Sequence, residues 1–319
     1  MEPYLPLEMQ LYILEMALPP QTLRCLPARR QVIKQFSLLH RDYTKPMQRL
    51  LYAIPHFDII GSGTAAHIEA KFEAADSIEA VVTGLDLTVR EWPRELQADV
   101  IKALASRKET IRELAVYLRA GDFPFFGEWL PNLVSLNFAG VLTEQLAQYP
   151  RITFPPTLTR LLLQRCGEVH RFMRGPGALP STFALPPIPT LQTLLIGPRV
   201  SGTPGFDYSA AFPSLRILAI DRDSLGHLAP GSHDLSTLPS SLRHLRLEFP
   251  DSWTSTQALS YLLTVPQGLW SLEVYLGNPL SFSVPEELER RSGWMVGTKV
   301  RWTFWPEEPV DIEEWMPAR

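Results

Sequence analysis

Residues Gly61-Ser62-Gly63-Thr64 follow the strand-like run Phe57-Asp58-Ile59-Ile60 and precede a helical stretch from Ala65 to Ala75. A strand, a glycine loop and a helix N-terminus in that order can cradle a phosphate on backbone N–H groups. Nucleotide loops add a third spaced glycine or a lysine ahead of Ser or Thr, and neither is present. The segment reads better as the first turn of a repeating structure. Cys25 and Cys166 are far apart and form no CxxC pair for zinc. The seven histidines are scattered, with no HExxH and no G-x-S-x-G. Asp221-Arg222-Asp223 offers two carboxylates, which on a turn are ordinarily solvated. The expectation is a protein that is not an enzyme, with no catalytic residue, no cofactor and no metal.

The bulk numbers point the same way. The chain has 319 residues, 45% of them hydrophobic and 20% charged, the balance of a globular protein. Its net charge of -4 provides no basic footprint for nucleic acid. No apolar run reaches the ~20 residues of a membrane span. Met1 to Gln10 lacks a basic n-region, so no signal peptide is expected. Two cysteines in so long a chain are no disulfide framework and fit a reducing compartment, cytoplasmic or nuclear. The 30 prolines occur beside abundant leucine, so they must punctuate structure rather than abolish it.

One pattern recurs: apolar, two residues, apolar, one residue, apolar. It begins as Val82-Leu85-Leu87, Ile111-Leu114-Val116 and Leu133-Leu136-Phe138, then continues as Leu158-Leu161-Leu163, Leu191-Leu194-Ile196 and Leu215-Leu218-Ile220. Leu242-Leu245-Leu247 and Leu269-Leu272-Val274 complete it. Successive first positions lie 22 to 33 residues apart, and only the step from 158 to 191 exceeds the ~20–29 residues of leucine-rich repeats. The L-x-L alternation is a strand with one face buried. One such unit cannot bury its apolar side alone, so units must stack, and stacked strands make a parallel sheet along a curved solenoid. Pro131, Pro156, Pro189 and Pro213 each stand two residues before a first leucine, and Pro239 and Pro266 three before. Proline ends the convex segment there and starts the strand approach.

The expected fold class is therefore α/β, a curved, irregular leucine-rich-repeat solenoid with a parallel sheet over residues 56–306. Helices are expected over Pro93 to Arg107, Thr254 to Leu263 and Pro285 to Arg291. The proline- and glycine-rich Arg174 to Pro189 reads as a loop insertion. Val300, Trp302 and Phe304 alternate like a last strand, and residues 307–319 read as an acidic C-terminal cap or tail.

Strand alternation places the residue between the last two apolar positions on the opposite, concave face, where solenoids bind. That column reads Asp86, Ala115, Asn137, Leu162, Leu195, Ala219, Arg246 and Glu273; the next reads Thr88, Tyr117, Ala139, Gln164, Gly197, Asp221, Glu248 and Tyr275. Candidate contacts for a protein substrate are Asn137, Leu162, Gln164, Leu195, Asp221, Arg246, Glu248, Glu273 and Tyr275. Leu162 and Leu195 would form an exposed apolar centre with a polar rim, as interfaces do. In the competing reading the 174–189 loop folds over them.

Residues Leu5 to Tyr52 leave the repeat. Met9, Tyr12, Ile13 and Met16 share one face of a short helix, and a basic connector with Arg24, Arg29 and Arg30 leads to a second apolar helix through Ile33, Phe36 and Leu39. The run Leu5-Pro6-Leu7-Glu8-Met9-Gln10-Leu11-Tyr12-Ile13-Leu14-Glu15 resembles the opening of the F-box motif, and Phe36-Ser37-Leu38-Leu39-His40-Arg41-Asp42-Tyr43 resembles its later segment. With Leu26-Pro27-Ala28-Arg29-Arg30 between them, the chain looks like F-box proteins of basidiomycete fungi. Tyr43 stands where that family usually has tryptophan, and the connector is longer than in the compact animal motif.

The resemblance implies a small all-α F-box-like motif over residues 1–55, with Leu5, Pro6, Met9, Ile13, Leu39 and Tyr43 meeting a Skp1-like protein. It implies a substrate adaptor of a cullin-based ubiquitin ligase, the repeats binding a protein substrate. The alternative is a leucine-rich-repeat scaffold with no Skp1 binding, its N-terminal helices merely capping the first repeat. Exposure of the Leu5 to Ile13 face separates the two.

Overall fold

The computed structural model describes residues 5–19, 26–60, 63–89, 97–118, 129–140, 154–164, 187–197, 207–226, 235–250, 252–276, 283–289 and 295–304. Three helices come first: α1 (Leu7–Met16), α2 (Leu26–Leu39) and α3 (Arg41–Ala53). Then β1 (His56–Ile59), α4 (Thr64–Ser77), β2 (Gly84–Val89), α5 (Gln97–Ala105) and β3 (Glu113–Leu118) alternate. The strands β4 (Ser135–Gly140), β5 (Arg160–Gln164), β6 (Thr193–Ile196) and β7 (Ile217–Ile220) follow, and β8 (His244–Phe249), β9 (Ser271–Leu276) and β10 (Lys299–Phe304) close the series. The protein is thus α/β, and its ten strands form one sheet in the order of the chain, β1 to β10. Every strand pair whose register is described is parallel. The chain divides into two compact units, residues 1–117 and 118–319.

The periodicity of the sequence fixes this register. Leu136, Leu161, Leu194, Leu218, Leu245 and Leu272 pair in one row, and Phe138, Leu163, Ile196, Ile220, Leu247 and Val274 in another. All are buried, as is the preceding row from Leu133 to Leu269. Such continuity is what a parallel sheet requires of its covered side.

The prolines have a sharper role than ending a helix. Leu133, Leu158, Leu191 and Leu215 each donate their N–H to the carbonyl three residues earlier, at Leu130, Pro155, Ile188 and Phe212. Pro131, Pro156, Pro189 and Pro213 occupy the second position of these turns, where their fixed φ is already correct. Pro239 instead opens its turn, accepting from Leu242 N at 3.0 Å.

Beyond each turn a single carbonyl receives two donors from the next unit. Thr159 and Arg160 both donate to Val134 O, at 2.9 and 3.0 Å; Arg243 and His244 both donate to Arg216 O, each at 2.9 Å. The residue just before the first leucine adds a hydroxyl: Thr157 Oγ1 donates to Leu133 O, Thr190 Oγ1 to Leu158 O and Ser241 Oγ to Leu215 O, each at 2.8 Å. Each unit's turn thus satisfies backbone carbonyls of the preceding turn.

The helices expected at 93–107, 254–263 and 285–291 appear as Gln97–Ala105, Ser255–Leu262 and Ser283–Glu289. Thr254 caps the second through a capping box with Gln257. Most of the 174–189 insertion, the acidic segment 307–319, Gly61, Ser62, Cys25 and Cys166 lie outside the described residues.

Leu218 is fully buried, so Leu218→Ala is expected to destabilise by about 2–5 kcal/mol in urea unfolding. Ser241→Ala, which removes one hydroxyl from the turn ladder, is expected to cost about 1 kcal/mol. The reverse ranking would contradict this packing.

Candidate protein-binding surfaces

Helix α1 is amphipathic in an unusual sense: none of its residues is buried. Its backbone starts at Pro6, whose carbonyl accepts from Met9 N and Gln10 N at 3.1 Å each. Leu11 and Leu14 turn inward onto a small core of Leu18, Ile33 and Met47, which Phe36, Leu50 and Leu51 complete. The other side carries Met9, Ile13 and Met16, exposed to 53%, 51% and 70%. Leu5 and Tyr12 are exposed with them, and Leu38 and Leu39 at the end of α2 are more than half exposed. Scattered surface leucines are ordinary, but here many large apolar side chains are exposed together on α1 and at the end of α2.

Five of the six residues expected to meet Skp1, namely Leu5, Pro6, Met9, Ile13 and Leu39, are exposed. Tyr43 is not: it is half-buried against the Leu18–Ile33–Met47 core, and its hydroxyl donates to Gln10 Oε1. It braces α1 from behind. His40 caps α3, its Nδ1 accepting from Asp42 N at 3.2 Å.

A second set of polar side chains gathers on the first strands. Asp86, nearly buried on β2, accepts from Arg30 of α2 and lies 3.0 Å from His56 Nδ1. Burial, then the charge of Arg30, lowers the His56 pKa. Asp86 therefore ties α2 to the sheet, and as a carboxylate holding two partners it is satisfied structurally. Among the described residues no group of three or more His, Cys, Asp or Glu is placed to hold a metal ion.

The sheet face opposite the leucine rows differs from expectation. Asn137, Leu162, Leu195, Ala219, Arg246 and Glu273 do form one cross-strand row. Leu162 and Leu195, however, are 2% and 1% exposed and pack with Ala219 into a cluster of their own, so the expected exposed apolar centre is absent. Alternation correctly assigned these side chains to the second face but says nothing of what covers it. Arg246, Glu248 and Tyr275 are buried as well, whereas Asn137, Gln164, Asp221 and Glu273 remain partly accessible.

Arg246 donates to Glu248 two residues along β8, a charge pair withdrawn from water. Burial raises the Glu248 pKa to about 7, with Arg246 opposing and Asp221 reinforcing the rise.

No family model matches the chain, and neither a curated protein nor a solved structure matches it.

The raised Glu248 pKa has a signed consequence. As pH rises from the ordinary value of 4.5 toward 7, the unfolded chain loses a proton that the folded chain keeps. This group's contribution is therefore full below 4.5 and lost as pH passes 7. Glu248→Gln, which cannot ionise, is expected to gain stability relative to the parent across that window, by at most about 3 kcal/mol. Urea unfolding at pH values spanning the window measures the difference; a constant difference would contradict the assignment.

Proposed function

We propose that the chain is an adaptor, its N-terminal helices docking on a Skp1-like protein and its sheet recruiting a protein substrate to a cullin-based ubiquitin ligase. The carrying observation is the outward apolar side of α1, where Leu5, Met9 and Ile13 are exposed while Leu11 and Leu14 supply the inward contacts. A helix serving only as a cap would bury that side. The F-box resemblance of residues 5–15 and 36–43 names the partner. In this reading residues 1–55 are the F-box-like motif.

The same proposal takes β1 to β10 as leucine-rich-repeat units of a curved solenoid. Consecutive parallel pairing, the repeated proline turn and the buried leucine rows support it. Of the substrate-contact residues, Asn137, Gln164, Asp221 and Glu273 keep the accessibility that direct contact needs. A site in the cytoplasm or nucleus goes with the adaptor role. No helix among the described residues is long and apolar enough to cross a membrane.

Apolar burial drives such docking at about 25 cal/mol per Å², and one hot-spot side chain contributes about 2 kcal/mol or more. Ile13→Asp is therefore expected to abolish co-purification with Skp1 while leaving the circular dichroism spectrum and the melting temperature unchanged, since Ile13 is half exposed. Binding at micromolar strength, about -8 kcal/mol, is within reach of the assay. If the unmutated protein fails to retain Skp1 where a known F-box does, the scaffold alternative replaces this reading.

A further inference from the structure

Charge on residues 118–319 is distributed unevenly along the strands. The register aligns Ser135, Arg160, Thr193, Ile217, His244, Ser271 and Lys299 as the first row of the sheet. Arg216, Arg243 and Trp270 stand one residue earlier, and Arg301 two residues after Lys299. Segments 129–135, 154–160, 187–193, 211–217, 238–244, 264–271 and 295–301, which lead into the strands, hold these cations and no aspartate or glutamate. The carboxylates of this sheet face lie farther along: Glu273 in the row of Arg246 and Arg301, then Asp221 and Glu248 in the next. Arg160, Arg216, Lys299 and Arg301 are exposed.

Among these cations stands a large aromatic side chain. Trp270 is 64% exposed. The Arg243 guanidinium lies 5.9 Å from its ring centroid, and the His244 ring meets it edge-on at 5.8 Å. Arg243 is itself fixed by donating to the carbonyls of Ser240 and Leu242 at 2.7 and 2.8 Å. The ring is thus held in place while most of it faces water. Tryptophan and arginine are the side chains that most often dominate protein interfaces.

We propose that the N-terminal ends of strands β5 to β10 dock an acidic peptide segment of a partner protein, its carboxylates on Arg160, Arg216, Lys299 and Arg301 and one apolar side chain on Trp270. From β5 to β10 the row spans five strand spacings, about 24 Å, which an extended peptide of about seven residues covers. Asp221 and Glu273, the partly accessible carboxylates farther along the sheet, orient that peptide by repelling its acidic groups toward this end. They also disfavour a nucleic acid, whose phosphates recur along its whole length. The inference is independent of Skp1 docking, since it uses only residues 118–319.

Fluorescence anisotropy of the full chain tests it. The probe is a labelled peptide of about twelve residues with glutamates around one central phenylalanine; a lysine counterpart and an oligodeoxythymidylate are the comparisons. The glutamate peptide is expected to bind in the micromolar range and to weaken as salt rises. Arg216→Glu combined with Lys299→Glu is expected to weaken it about tenfold or more, and Trp270→Ala several-fold. Arg216→Gln, which keeps the length of the side chain, gives a milder loss and serves where the double variant melts early. Undiminished binding by well-folded variants, no binding of the glutamate peptide, or equal binding of the lysine peptide would overturn the proposal. So would tighter binding of the oligodeoxythymidylate.

Discussion

A single strand with its turn cannot bury its own apolar side, and the architecture follows from that constraint. Leu161 needs Leu136 and Leu194 beside it; Leu218 needs Leu194 and Leu245. The backbone repeats the dependence, because Val134 O and Arg216 O are each satisfied twice by the unit that follows. Apolar burial and polar satisfaction therefore join the same neighbours, which is how stacked units gain stability in increments.

The opposite face obeys no such uniform rule. Its centre is apolar at Leu162, Leu195 and Ala219, and one strand on it turns ionic at Arg246 and Glu248. A buried pair of this kind gains little net stability over an apolar substitute, since both ions lose their hydration. A carboxyl whose pKa has risen to about 7 is the expression of that loss. Toward the strand N-termini, by contrast, Arg160, Arg216, Lys299 and Trp270 are exposed.

Much of the fold was legible because its period is strong. Three apolar positions in each repeat named the strands from Val82 to Val274, and every one of those positions is buried. Thr254 to Leu263 read as helical, although the capping box of Thr254 and Gln257, a local rule that needs no tertiary contact, went unread. The prolines were read as starting the strand approach, but their place inside a hydrogen-bonded turn was not legible, since it depends on the carbonyl three residues before each leucine. The hydroxyls of Thr157, Thr190 and Ser241 escaped notice because their acceptors lie 24 to 32 residues away in sequence. Leu162 and Leu195 left two readings open, exposed or covered, because alternation reports which face a side chain takes, not whether that face is covered. Motif position placed Tyr43 with the contact residues, and only the structure shows its hydroxyl bond to Gln10.

The N-terminal helices balance two demands. Leu11, Leu14 and Tyr43 hold α1 against the small core, while Met9, Ile13 and Met16 stay in contact with water. Exposure on that scale is unfavourable for an isolated chain, which is why the proposal gives it a partner. Hydrogen–deuterium exchange on the intact protein, with and without Skp1, tests this most directly. The expected result is slowed exchange confined to α1 and the C-terminal turn of α2, with β4 to β10 unchanged. Identical exchange with and without a saturating excess of Skp1 would contradict the adaptor account.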